Sequence, residues 1–109
     1  MRILKLTTRA TVAVLGVLFL LSVPARAAIP QAERDALLAL YNSTGGPLWT
    51  NHTNWGGAPG TENTWFGVTT DGGNTTVQQI WLPSNHLVGP LPTELGNLAN
   101  LQALILNNN

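Results

Sequence analysis

Residues 77–109 read VQQIWLPSNHLVGPLPTELGNLANLQALILNNN. Within this stretch Val77, Ile80, Leu82 and Asn85 are matched 24 residues later by Leu101, Leu104, Leu106 and Asn109. Four apolar or Asn positions recurring at one offset mark a repeat. The spacing has a mechanical meaning. Ile80 and Leu82, like Leu104 and Leu106, are two residues apart, so each pair points to one side of a strand. Asn85 and Asn109 then turn inward, where a side-chain amide can bond the free backbone groups of the adjacent turn. Gly89 and Gly96 permit sharp turns, and Pro92 to Leu95 reads as a short helical or 3₁₀ stretch. One such coil cannot bury its own apolar side, whereas stacked coils can.

Upstream, Pro30 opens a segment predicted to be helical from Gln31 to about Asn42, with Ala36, Leu37, Leu40 and Tyr41 on one apolar face. Glu33 and Asp35 fall in its first turn, where they suit the helix dipole. Gly45-Gly46-Pro47 stops it. Leu48 to Thr64 has no clear period, and its Trp49 and Trp55 mark it as ordered loop rather than linker. Trp65–Thr70 and Thr75–Leu82 read as two strands joined at Asp71-Gly72-Gly73-Asn74, which predicts a β-hairpin.

Residues 77–109 resemble the plant-type leucine-rich repeat, L-x-x-L-x-L-x-x-N-x-L-x-G-x-L-P-x-x-L-G-x-L, present once in full and begun a second time. Residues 28–76 resemble that family's N-terminal cap, with Asp35–Leu40 in the cap helix and Trp65-Phe66-Gly67-Val68-Thr69 in the W-x-G-V core. Asn63 and Thr70 stand where plant members carry a cysteine pair, so the cap has no disulfide here. Cysteine-free bacterial secreted relatives look similar. The resemblance implies an α/β fold: a right-handed solenoid whose parallel strands line a concave face, closed at one end by a helix and hairpin.

The N-terminus reads as an address. Arg2, Lys5 and Arg9 precede an uncharged run from Ala10 to Ala25, and Ala25-Arg26-Ala27 supplies small residues at a cleavage site. That order describes a secretory signal peptide, residues 1–27, cut after Ala27. An uncleaved N-terminal anchor is the alternative, although the run is short for a membrane span and Pro24 interrupts it. The expected location is secreted or cell-surface. Removal of residues 1–27 leaves 82 residues with one basic side chain, Arg34, and five acidic ones, a formal charge of −4. This part has no lysine, which excludes a nucleic-acid footprint and a polybasic membrane patch. With no cysteine in the chain, disulfide frameworks, iron–sulfur sites and thiol nucleophiles are also excluded.

The expected function is protein binding without catalysis. The candidate binding residues are Gln79, Trp81, Pro83 and Ser84 on one strand, then Ala103, Ile105 and Asn107, with Asn108, on the next. Neighbouring strands lie about 4.8 Å apart, so Trp81 and Ile105 should be side by side as an anchor. The competing reading packs Trp81 against the cap. Trp49, Trp55 and Trp65 could instead form a sugar-stacking platform with Asn51, His52 and Asn54, or simply fill the cap core. A purely structural cap of a longer array is a further alternative.

His52, His86, Glu62, Asp71 and Glu94 form no spaced catalytic or metal-binding set, so solvated, structural roles are expected for them and no cofactor or metal. Asp71–Asn74 lacks the ligand spacing of a calcium loop. Asn42-Ser43-Thr44, Asn51-His52-Thr53 and Asn74-Thr75-Thr76 are glycan acceptors wherever the machinery exists. Stopping at Asn109, the repeat pattern predicts a piece of a longer array, or self-association through an open repeat edge.

Overall fold

The computed structural model describes residues 27–109; the expected signal peptide lies almost wholly outside them. Helix α1 spans Gln31–Ser43, one residue beyond the expected end. Its buried stripe is Glu33, Ala36, Leu37 and Leu40, the i, i+3, i+4, i+7 spacing of a one-sided helix. The backbone N–H groups of Glu33 and Arg34 donate to the Pro30 carbonyl at 3.0 and 3.1 Å, which starts the first turn. The helix ends where the Thr44 hydroxyl turns back to the Leu40 carbonyl at 2.6 Å and Gly45 takes a left-handed φ of 71°.

The loop that follows wraps aromatic rings around the helix. Tyr41 stacks on Trp55 with centroids 5.8 Å apart. Trp49 meets Trp55 edge-on at 4.9 Å, and Trp55 meets Trp65 at 5.1 Å. All three indoles are buried. Their N–H groups reach the Thr44 carbonyl, the Phe66 carbonyl and the Thr61 hydroxyl, so burial leaves none of these donors unpaired. The apolar core is continuous from these rings through α1 to Val77, Ile80 and Leu82.

Three strands form one sheet in the order β1-β2-β3: β1 Val68–Thr70, β2 Val77–Trp81 and β3 Ala103–Ile105. β1 and β2 are antiparallel, with Val68 opposite Ile80 and a shift in register after Thr69. β1 is shorter than expected because Gly67 has a φ of 83°, which no strand residue adopts. Asp71 closes the turn. One carboxylate oxygen accepts the Thr76 N–H at 3.1 Å and the other the Thr75 hydroxyl at 2.6 Å. β2 and β3 are parallel, pairing Gln79 with Ala103, Ile80 with Leu104 and Trp81 with Ile105. A 3₁₀ stretch, Thr93–Asn97, lies on the connection and packs against α1.

This architecture corrects the expected solenoid. The described residues form a small domain of one helix and a three-stranded mixed sheet, not a repeat array. The antiparallel pair is the expected hairpin, but only β2 and β3 are parallel, so no series of parallel coils forms among the described residues. The second set of leucines does not extend the core either. Ile80 and Leu82 are fully buried, while Leu104 is 37% exposed and Leu101 and Leu106 are half-buried. The 24-residue offset therefore sets one strand register and builds no second enclosed layer.

Candidate functional site

The outer face of the sheet carries an exposed apolar patch. Trp81 is at the end of β2, 59% exposed, and Ile105, its register partner on β3, is 40% exposed. The indole is not among the rings of the aromatic cluster; it lies beside the cap residues Phe66 to Thr69 with most of its surface open. Gly67 lies across from Trp81, whose N–H donates to the Gly67 carbonyl at 2.7 Å. A β-carbon at Gly67 would meet the Trp81 carbonyl oxygen and the Leu82 side chain. Glycine at 67 permits that close approach, and beside it lies an open groove of about 340 Å³, lined by Phe66, Gly67, Val68, Thr69, Trp81 and Pro83. None of the six carries a charge. Phe66 is also exposed, so two aromatic side chains flank the groove.

The remaining expected binding residues are spread around this centre. Ser84 and Asn107 are exposed, while Gln79, Pro83 and Ala103 are half-buried. The groove takes Pro83 from the expected set and adds Phe66, Gly67, Val68 and Thr69 from the hairpin. These four were missed because the repeat pattern points along β2 and β3, away from the antiparallel neighbour. The available signal is the W-x-G step, since a glycine in a strand pattern marks a place where another backbone comes close, here that of Trp81.

Asn85 and Asn109 fasten turns. The Asn85 side chain is buried; it accepts the Asn51 N–H at 2.8 Å and donates to the Asn51 carbonyl at 2.9 Å. Asn109 accepts the N–H groups of Asn85 and Leu87 at 2.8 and 2.9 Å, and donates to the Leu82 carbonyl at 2.7 Å. On either side of Asn85, Ser84 and His86 hold left-handed φ values of 52° and 62°.

The titratable groups are largely committed to the structure. Glu62, expected to be solvated, is buried. It pairs with Arg34 and accepts the Gly60 N–H at 3.0 Å. Arg34 also donates to the Gly57 carbonyl at 2.6 Å and lies 5.1 Å from the centroid of the Trp65 ring. Burial of an ionised carboxylate requires such a partner. Glu33 is buried too; its carboxylate takes the Thr76 hydroxyl and, at 2.7 Å, the Val77 N–H, which ties α1 to the start of β2. The half-exposed carboxyl of Asp71 is held below its ordinary pKa, first by the Thr75 hydroxyl, then by the Thr75 N–H and, more weakly, the Thr76 N–H. His52 and His86 are exposed. Among the described residues no group of three His, Asp or Glu side chains could hold a metal ion.

The sugar-stacking platform does not form from Trp49, Trp55 and Trp65. Their faces are spent on one another and on Tyr41. A second open depression, about 430 Å³, lies along the loop from Asn54 to Thr64, with Trp55, Thr61 and Thr64 among its lining residues. No protein-family model matches the chain, and no curated protein matches it.

Proposed function

We propose that residues 1–27 direct this chain to export and are then removed, and that it works by binding a protein partner, without catalysis, through the outer face of its sheet around Trp81. The observation that carries this reading is the exposure of Trp81 beside Ile105, above an uncharged groove. A stable fold gains nothing from leaving an indole in water. A partner that covers it removes apolar area worth about 25 cal/mol per Å², and Trp is the side chain most often found at the energetic centre of an interface. The absence of charge in the groove favours an apolar, uncharged contact, so binding should change little with salt.

The non-catalytic part of the reading is supported by the commitments of the carboxylates. Glu33, Glu62 and Asp71 each spend their oxygens on backbone or side-chain donors that hold the fold. A general acid or base needs a free face toward a substrate.

The test compares three forms of the full chain as bait for extracellular proteins: wild type, Trp81→Ala and Leu48→Ala. Leu48 is even more exposed than Trp81 but does not line the groove, so it controls for general stickiness. A specific partner should be retained by wild type and Leu48→Ala and lost from Trp81→Ala, with all three melting alike. Equal capture by all three, or unfolding of Trp81→Ala, would retire the proposal.

A further inference from the structure

We infer that Asn51 is a glycan-accepting side chain, and that of the three Asn-X-Ser/Thr triplets it is the one the folded chain presents for N-linked modification. The inference rests on the export reading above, because the transferases for this reaction face the compartment that exported chains enter. The argument begins with what an acceptor needs. The Asn Nδ2 must leave hydrogen bonding to its own protein and reach outward, and the hydroxyl two residues on must be near the carboxamide.

The three triplets differ in these respects. At Asn51 the Oδ1 accepts both the N–H and the hydroxyl of Thr53, at 3.0 and 2.7 Å. That double contact turns the oxygen toward the chain and the Nδ2 away from it, and among the described residues nothing accepts a hydrogen bond from that nitrogen. His52 and Thr53 are exposed and Asn51 is half-exposed. The backbone beneath is held independently of the Asn51 side chain, since its N–H and carbonyl both bond the Asn85 amide. A glycan on Nδ2 would therefore cost the fold no contact.

Asn74 is the opposite case. Its Nδ2 donates to the carbonyl of Gly60 at 3.0 Å, a contact that removal of residues 1–27 leaves in place, and its Oδ1 is buried. A sugar there must displace contacts that hold the loop to the hairpin. At Asn42 the side chain is exposed on the last turn of α1, but the partner hydroxyl is lost. Thr44 is buried and donates to the Leu40 carbonyl at 2.6 Å, away from Asn42.

The step balances as a group transfer from a polyprenyl-diphosphate-linked oligosaccharide. A bond forms between Asn51 Nδ2 and the anomeric carbon of the first sugar. The bond from that carbon to the diphosphate oxygen breaks, and the lipid diphosphate leaves with the electron pair. One Nδ2 proton passes to a base of the transferase.

The deciding experiment uses the purified, folded full chain with a purified oligosaccharyltransferase and its lipid-linked oligosaccharide, read by intact mass and peptide mapping. One glycan is expected, on Asn51. It should persist in Asn42→Gln, Asn74→Gln and Thr53→Ser, the last keeping the hydroxyl, and vanish in Asn51→Gln and Thr53→Val. A chain unfolded by Ile80→Asp should accept glycan at more than one triplet, which separates the effect of folding from that of local sequence. Modification of the folded chain at Asn42 or Asn74 in preference to Asn51, or no modification at Asn51, would overturn the inference. Failure of export would leave this result unchanged, so the two ideas fail separately.

Discussion

Ile80 and Leu104 stand side by side in register on adjacent strands, yet the first is wholly buried and the second is more than a third exposed. They are similar in size and hydrophobicity and occupy equivalent places in the 24-residue pattern. The difference lies in their neighbours. β2 has β1 on one side and β3 on the other, and α1 is tied to its first residue through Glu33. β3 is paired on one side only. Burial depends on what covers a strand, and a strand's own sequence does not record that.

The widest separation between the two regions should come from truncating both leucine-like positions. Ile80→Ala should cost about 4 kcal/mol, within the range for large-to-small changes in a closed core. Leu104→Ala should cost under about 1 kcal/mol, because the side chain is already partly in water. Urea denaturation of both variants checks this, and equal losses would mean that β3 is enclosed as fully as β2. Arg34→Met comes next. It leaves the buried Glu62 with only the Gly60 N–H and should cost about 3 kcal/mol, near the lower limit for orphaning one member of a buried pair. Arg34→Lys should recover part of that loss, since one ammonium cannot reach both Glu62 and the Gly57 carbonyl in the same way.

A smaller effect sharpens the contrast between the indoles. Acrylamide should quench one accessible component of the Trp fluorescence and leave the rest shielded. Trp81→Phe should remove the accessible component with almost no change in melting. If Trp49, Trp55 or Trp65 quenches as readily, the aromatic cluster is open. The smallest effect concerns Asp71, whose folded pKa lies below the ordinary 3.8. Its ionised form is the one the turn stabilises, so its contribution is present above the unfolded pKa and disappears as pH falls through the folded one. Wild type and Asp71→Asn should differ slightly at neutral pH and converge in stability well below pH 3.8, as followed by acid titration of the melting temperature.

Several of these elements were legible in the chain. The helix was readable from Ala36, Leu37 and Leu40, and the hairpin turn from Asp71-Gly72-Gly73-Asn74. Glu33 reads as a dipole partner in the first turn, and its place three and four residues before Ala36 and Leu37 also puts it on the buried stripe. Glu62 was less accessible to sequence reasoning. Its partner Arg34 is 28 positions away, and nothing local distinguishes it from a surface carboxylate. Trp81 allowed two readings because alternation along β2 puts it on the outer face, while its size argued for cover.

By itself, the sequence determined where the chain turns, which residues share a face of α1 and which positions of β2 and β3 come into register. Periodicity and turn chemistry act over a few residues, and they were enough for that. Only the tertiary structure decided that β2 is enclosed while β3 stays half-open, that Glu33 and Glu62 are inside, and that Trp81 is outside beside an open groove. Those outcomes depend on which distant surfaces meet. A side chain's affinity for the interior is written in the chain, but the existence of something to cover it is not.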